Sequence, residues 1–144
     1  MGGVPVIQTI ALQVNTDLNE LTKVLDWFEH IPHDTMSKRD WLGFKTAIAE
    51  VFTNAVRHAH QNMPKETPIN LEATLTENTL EVKVFDFGTG FDLSSKLSNL
   101  DDVDVNALGG RGLALIHHIV DLLSYERIGD RNCMLMIKHY SPVD

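Results

Sequence analysis

Three polar residues are spaced along one predicted helix so that they could act together on a ligand. Glu50, Asn54 and His58 follow one another at four-residue steps, and residues four apart in an α-helix lie on one side of it. Gly43 and Ala47 extend the same stripe, and their small side chains leave room for another group. A carboxylate and a carboxamide placed in this way could orient a hydroxyl and bind a hard cation. An ordinary solvated helix face has the same pattern.

A carboxylate at the end of a predicted strand is the second candidate. The period of two along this strand places Leu80, Val82, Val84 and Asp86 on one face. The apolar face therefore ends in a charge, which is costly to bury without a hydrogen-bond donor. A neighbouring group of the chain or an N–H of a bound ligand could be that donor. Alternatively, Asp86 only starts a turn, or it lies at a strand end that is open to water.

Two glycine clusters flank a long stretch of weak periodicity. Gly88-Thr89-Gly90 directly follows the strand, and Gly109-Gly110-Arg111-Gly112 directly precedes a predicted helix. Glycine lets backbone N–H groups approach a ligand closely, and a helix start favours anions, so the second cluster could hold phosphates. Each cluster alone is also typical of an ordinary turn. Neither matches the Walker A or the Gly-x-Gly-x-x-Gly pattern.

The order of these features resembles the GHKL, or Bergerat-fold, ATPases, the superfamily of gyrase B, Hsp90, MutL and the sensor histidine kinases. Three boxes carry the resemblance: Glu50-Val51-Phe52-Thr53-Asn54-Ala55, Asp86-Phe87-Gly88-Thr89-Gly90 and Gly110-Arg111-Gly112-Leu113. The helix box continues as Val56-Arg57-His58-Ala59, and in this it is similar to the small bacterial anti-sigma-factor serine kinases of the SpoIIAB and RsbW type. The likeness spans essentially the whole chain.

The resemblance implies a role for each box. It implies that Asn54 holds the Mg²⁺ that bridges the ATP phosphates, that Glu50 is the catalytic base, and that Asp86 accepts from the adenine amino group. Relatives whose attacking group is a histidine usually carry Asn in place of this Glu, so Glu50 favours attack by a hydroxyl or water. The resemblance also implies that Gly88 and Gly90 line the adenine side, and that Gly110 and Gly112 give backbone contacts to the phosphates beneath a mobile lid. His58, Arg111 and Leu113 are the other nucleotide-contacting residues that it implies.

The last predicted hairpin departs from the family pattern. Many relatives have a Gly-Thr there whose threonine supports the adenine contact, whereas this chain has Arg131-Asn132-Cys133-Met134. This departure leaves no threonine to support the adenine contact, and a bound water could take over the role of its hydroxyl. Arg57 or Arg111 could add positive charge near the phosphates.

Hydrophobic periodicity predicts the elements that must position these residues. Helices are predicted over 17–31, 38–60 and 113–123. Strands are predicted over 6–14, 69–75, 79–87, 124–128 and 133–140, and residues 88–112 are predicted to form a long functional loop. The pattern indicates an α+β fold, a two-layer α/β sandwich with a mixed sheet and helices on one face. By resemblance this is the Bergerat ATP-binding fold.

Composition limits the classes of function. The 144 residues fit one domain, 1–144, and a net charge of −8 without a basic run argues against nucleic acid. Cys133 is the single cysteine, and neither a signal peptide nor a membrane span is evident, so a cytoplasmic location is expected. Three pairs of nearby histidines lack a Cys/His framework that would bind a metal: His30/His33, His58/His60 and His117/His118. No Gly-x-Ser-x-Gly elbow for serine hydrolysis is present.

Two functions of different classes follow. The resemblance implies an ATP- and Mg²⁺-dependent protein serine/threonine kinase that phosphorylates an anti-anti-sigma (STAS) protein. It also implies binding of a sigma factor or related regulator, and a homodimer, without nucleic acid or membrane partners. The alternative is a nucleotide-gated module whose ATP-dependent lid switches partner affinity, with little or no transfer chemistry.

Overall fold

The computed structural model describes residues 6–90 and 110–141, and for residues 6, 7 and 110–113 it describes the backbone only. Within these ranges, five strands form one sheet, and three α-helices share a single hydrophobic core with its inner face. The strands are β1 (Val6–Val14), β2 (Ile69–Thr76), β3 (Thr79–Asp86), β4 (Leu122–Ile128) and β5 (Arg131–His139). The helices are α1 (Leu21–Glu29), α2 (Lys38–Asn54) and α3 (Gly110–Ile119). The predicted α+β class and two-layer arrangement are confirmed.

The sheet has the order β1-β2-β3-β5-β4, and every described pair of neighbouring strands is antiparallel. The expected mixed sheet is therefore wrong for the described strands. Two tight hairpins, β2–β3 and β4–β5, account for part of this pattern. The connection from β1 to β2 contains two helices instead of the single helix of a parallel βαβ unit, so β2 returns antiparallel to β1.

Strand register gathers polar side chains at one end of the inner face. Asp86 on β3 lies opposite Asn132 on β5, and Asn132 lies opposite Arg127 on β4. Tyr125 lies two residues before Arg127 and therefore faces the same side, opposite Met134. Because facing residues of paired strands share a side of the sheet, these groups all point toward the helical layer.

Helix α2 begins at a capped end and finishes in an irregular turn. The Ser37 hydroxyl accepts the backbone N–H of Asp40 at 3.1 Å, as a helix N-cap does. The α-helix ends at Asn54 and continues as a π-helical turn, Ala55–Ala59, in which the His60 N–H donates to the Ala55 carbonyl at 2.9 Å. The helix predicted to residue 60 thus changes its hydrogen-bond pattern at Asn54. Such π turns often occur at functional sites.

The other two predicted helices differ from the structure at their ends. The 17–31 segment forms a short 3₁₀ turn, Leu18–Glu20, followed by α1. Helix α3 begins at Gly110 and ends at Ile119, so the prediction that it runs to Leu123 is wrong. The Asp121 N–H donates to the Ile137 carbonyl at 2.9 Å, and this bond draws the following residues into β4. Residues 91–109 of the predicted loop lie outside the described residues.

Helix packing closes the core over the inner face. The Phe28 ring of α1 stacks on Trp41 of α2, with ring centroids 4.2 Å apart, and both side chains are buried. Apolar residues at every second position of β2 and β3 are likewise buried. No helix in the described ranges is both long and apolar enough to cross a membrane.

Candidate functional site

The Asp86 carboxylate is buried and accepts three hydrogen bonds from the chain itself. Its side chain is 5% exposed. Oδ1 accepts the backbone N–H of Gly88 at 2.8 Å and the Asn132 amide at 2.9 Å, and Oδ2 accepts the Tyr125 hydroxyl at 2.9 Å. Asp86 does begin a turn, because it accepts from a backbone N–H two residues ahead. The alternative of a strand end open to water is wrong, because the residue is buried, and the predicted need for a donor is met by neighbouring groups.

Asn132 joins this carboxylate to the glycine turn that follows it. The residue is 3% exposed, and its Nδ2 also donates to the Gly88 carbonyl at 2.9 Å. Nη1 of Arg127 donates to the same carbonyl at 3.0 Å. The side-chain amide of Asn132 therefore contacts Asp86 directly, on the hairpin that lacks the threonine of many relatives. A bridging water is not needed to connect the hairpin to Asp86.

Tyr125 is held as a neutral hydrogen-bond donor. Burial raises the pKa of its hydroxyl, and the negative charge of Asp86 and the hydrogen bond to it raise that pKa further. The phenol consequently keeps its proton at neutral pH. It therefore donates its hydrogen bond to Oδ2 of Asp86.

His60 fastens the segment after Asp86 to the end of α2. The Phe87 N–H donates to Nε2 of His60 at 2.8 Å, so the ring proton must be on Nδ1, which lies 2.7 Å from Oγ1 of Thr16. The Thr16 hydroxyl in turn donates to the Thr67 carbonyl at 2.7 Å. Burial lowers the pKa of His60, and the charge of Asp86 opposes this shift. A neutral imidazole thus connects the two parts of the site.

Glycines allow the turn after β3 to approach its neighbours closely. A Cβ at Gly88 would lie 2.6 Å from the Ala59 carbonyl oxygen, a distance that no real Cβ contact shows. Gly90 has a φ of +84°, and a Cβ there would lie 3.0 Å from Oδ1 of Asn132. The Asp86 turn and the π-helical turn after Asn54 are therefore in direct contact. The structure brings together two of the boxes that the sequence singled out.

Glu50 and Asn54 lie one turn apart near the end of α2, and both are half-buried. Among the described residues, neither side chain has a hydrogen-bond or ion-pair partner. A carboxamide oxygen and a carboxylate that no described residue contacts suit Mg²⁺, which takes one or two protein oxygens and completes its shell with phosphate and water. No group of three His, Cys, Asp or Glu suited to a metal is found in the described ranges. The metal role of Asn54 therefore stays a prediction. His58 and Arg57 are exposed on the π turn.

Helix α3 occupies the room left by the small residues of α2. A Cβ at Gly43 would lie 3.4 Å from Ile119, and Ala47 is fully buried. The polar stripe is therefore covered by the protein along its first half. Gly110, Arg111 and Gly112 of the second glycine cluster form the first turn of α3, where backbone N–H groups lack partners within the helix. The predicted contacts of the Arg111 and Leu113 side chains lie outside the described residues.

Sequence reasoning missed three residues of this site. Asn132 was noted only as a departure from the family pattern, and neither Tyr125 nor His60 was predicted to contact the Asp86 segment. The alternation of β4 indicates that Tyr125 points inward, but its partner depends on strand register. Cys133 has no visible part in the site, since it is buried and burial raises the pKa of its thiol.

Comparison with known proteins assigns the class. The family model of the histidine kinase-like ATPase domain matches residues 14–138, and the chain belongs to this family. The predicted recognition is confirmed at this level.

Particular relatives are named as protein kinases. The chain is 35% identical over 83 residues to the serine-protein kinase RsbW of Listeria monocytogenes, a match that covers 54% of this chain and 52% of the relative. It is 31% identical over 83 residues to RsbW of Staphylococcus epidermidis. The serine/threonine-protein kinase BtrW of Bordetella bronchiseptica is 28% identical over 141 residues, which cover 94% of this chain and 96% of the relative. The chain thus spans about half the length of these RsbW relatives and nearly all of BtrW.

Proposed function

We propose that this chain is an ATP- and Mg²⁺-dependent protein serine/threonine kinase that phosphorylates an anti-anti-sigma (STAS) protein. The observation that carries the proposal is the direct contact between the Asp86 turn and the π turn that follows Glu50 and Asn54. Through this contact, the segment with the buried Asp86 carboxylate, which could accept from a nucleobase, adjoins the segment with Glu50 and Asn54. No described residue contacts the side-chain oxygens of Glu50 and Asn54, and these oxygens could hold a metal–phosphate group. The names of the relatives support the same chemistry.

Glu50 and Asn54 act at the phosphate end of the proposed site. The Asn54 side-chain oxygen would hold Mg²⁺, which would neutralise charge on the phosphates. Glu50 accepts the proton of the attacking hydroxyl while the oxygen of that hydroxyl bonds to the γ-phosphorus of ATP. The bond from that phosphorus to the β–γ bridging oxygen breaks, and ADP leaves. Positioning and charge neutralisation account for most of such catalysis, so few side chains are needed.

Asp86 acts at the end of the proposed site that binds the adenine ring. Its carboxylate accepts one N–H of the adenine amino group, and Gly88 and Gly90 let the backbone lie close to the ring. At the phosphates, Gly110 and Gly112 offer backbone N–H groups from the first turn of α3. His58, Arg111 and Leu113 complete the proposed nucleotide contacts.

The proposed partners and setting follow from the same resemblance. We infer that residues 1–144 act as one domain and as a homodimer in the cytoplasm. A sigma factor or related regulator is the second proposed partner, and phosphorylation of the STAS protein would govern which of the two is bound. No nucleic acid or membrane partner is proposed.

A transfer assay on candidate STAS domains tests the kinase. The protein is incubated with labelled ATP, Mg²⁺ and each domain, alongside Glu50→Ala and the control Glu77→Ala, which alters an exposed hairpin residue. Glu50→Ala should bind ADP like the wild type and transfer phosphate about 10²- to 10⁴-fold more slowly. The control should transfer normally.

The outcomes separate the mechanism from the alternative function. Unchanged transfer in Glu50→Ala would contradict the role of Glu50 as base. Wild-type protein that binds nucleotide and a STAS domain without labelling it would favour a nucleotide-gated binding module. Absence of any nucleotide binding would contradict both functions.

A further inference from the structure

The hydrogen bonds around Asp86 restrict what its carboxylate can still accept. An ionised carboxylate has about four acceptor positions, two on each oxygen. Gly88 and Asn132 donate to Oδ1, so both positions of that oxygen are taken, and Tyr125 takes one position of Oδ2. One position of Oδ2 remains for a donor from beyond the described residues. The carboxylate can thus receive one N–H from a base, through one oxygen.

Bases differ in how many N–H groups they present to such an acceptor. Adenine offers its N6 amino group next to a ring acceptor, whereas guanine offers N1–H and the N2 amino group side by side. An unrestricted carboxylate binds the guanine pair with one oxygen for each N–H. When Oδ1 is saturated, the second N–H of guanine has no partner, and an unpaired buried polar group is costly.

The orientation of the Asn132 amide is fixed by its surroundings. Nδ2 donates both to Asp86 Oδ1 and to the Gly88 carbonyl, each at 2.9 Å. A flipped amide would point its oxygen at these two acceptors. In the observed orientation, Oδ1 of Asn132 instead lies 3.5 Å from Nη1 of Arg127. Asn132 therefore remains a donor to Asp86 and does not exchange that role with a ligand.

We propose that Asn132 is a specificity-determining residue that selects a base with a single amino donor, such as adenine, over guanine. It does so by occupying the acceptor position that guanine requires on Oδ1. Tyr125 reinforces the selection by occupying one position on Oδ2. This inference rests on the proposed nucleotide site and adds the basis of its selectivity.

Paired measurements of ADP and GDP affinity test the inference. Dissociation constants are determined by calorimetry with Mg²⁺ for the wild type, Asn132→Ala and Tyr125→Phe. The preference for ADP over GDP should fall about tenfold in Asn132→Ala, equivalent to about 1.4 kcal/mol. Tyr125→Phe should change the preference in the same direction. If Asn132 had a merely structural role, Asn132→Ala would weaken the binding of ADP and GDP equally and leave the ratio of their dissociation constants unchanged.

Tyr140→Phe is the matched control. This variant also removes a buried hydroxyl, which donates to the Thr76 carbonyl at 2.9 Å. Thr76 lies at the turn of the β2–β3 hairpin, whereas Asp86 lies at the opposite end of β3. Its preference should equal that of the wild type. Circular dichroism verifies that each variant folds. If Asn132→Ala does not fold, the ADP-to-GDP ratio of Tyr125→Phe tests the inference, because that variant keeps the aromatic ring.

The outcomes distinguish this inference from the proposed function. Wild-type protein that fails to bind ADP would overturn the proposed function, and this inference with it. Wild-type protein that binds ADP, with an unchanged ADP-to-GDP ratio in the folded variants, would overturn the selectivity of Asn132 alone.

Discussion

At the scale of single residues, neighbours decide what Asp86 and His60 can do. Asp86 is a buried charge that is tolerable because three donors surround it. His60 is buried and neutral because the Phe87 N–H needs an acceptor at Nε2. The two side chains accept the N–H groups of neighbouring residues, Phe87 and Gly88, in the same short segment. Protonation of His60 at Nε2 would remove the acceptor of the Phe87 N–H and disturb the proposed nucleobase site.

Stability should depend on pH through His60. Burial lowers its pKa in the folded protein below that of the unfolded chain, about 6.5. The unfolded state therefore binds more protons between these two pKa values, and the free energy of unfolding falls as the pH drops below about 6.5. Above that pH both states are neutral at this site, and the full contribution of His60 is present. Urea denaturation at intervals from pH 5 to 8 measures this dependence.

His60→Gln isolates the contribution of this one histidine from the others. Glutamine can accept from the Phe87 N–H but does not titrate, so the variant should lose part of the decline below pH 6.5. His30→Gln, at an exposed position, serves as the comparison. An identical pH profile for His60→Gln and the wild type would contradict the role of His60.

At the scale of elements, the site depends on a close contact between the π turn and the turn after β3. Gly88 is the point of contact, because the Ala59 carbonyl occupies the space that any side chain would need. The inserted π turn ends α2 with His60 directed at the Phe87 backbone. The spacing between Asn54 and Asp86 therefore depends on this contact.

Gly88→Ala should separate these two segments. Its methyl group would meet backbone atoms that cannot rotate away, and overpacking of this kind costs about 1–3 kcal/mol. We expect a lower free energy of unfolding in urea and weaker ADP binding. Gly129→Asn is the control, since Gly129 has a φ of +66°, which asparagine tolerates, and its Cβ position is open. Equal stability of Gly88→Ala and the wild type would contradict the contact.

At the scale of the whole molecule, one sheet and its helical layer place the three boxes on separate elements. Asp86 ends a central strand, Glu50 and Asn54 lie on α2, and Gly110 begins α3. A ligand that bridges these elements connects parts of the chain that are distant in sequence. It should therefore stabilise the folded domain as a whole.

Nucleotide with Mg²⁺ should raise the melting temperature. A ligand at about 100 times its dissociation constant adds about 2.7 kcal/mol of stability, which for a domain of this size corresponds to roughly 5–10 °C. Removal of Mg²⁺ with EDTA should reduce the shift caused by ATP. Asn54→Ala should show the smaller shift in both conditions, whereas Glu77→Ala should respond like the wild type. Equal ATP shifts with and without Mg²⁺ in the wild type would contradict the metal role of Asn54.

The amino-acid sequence by itself determined the helices and strands that carry the site, and the family. The alternation that ends at Asp86 and the four-residue step from Glu50 to Asn54 are local patterns, so they can be read without knowledge of the fold. Local patterns failed where the sheet competes with the helix, as at Leu122 and Leu123, which continue a helical spacing yet pair with β5.

Only the tertiary structure decided which groups surround Asp86. Its donors Tyr125 and Asn132 lie 39 and 46 residues further along the chain, on two strands whose register against β3 places them there. A shift of one residue in that register would turn Asn132 to the outer face of the sheet. Register is set by packing across the whole core, and therefore the spacing of residues along the chain does not reveal it.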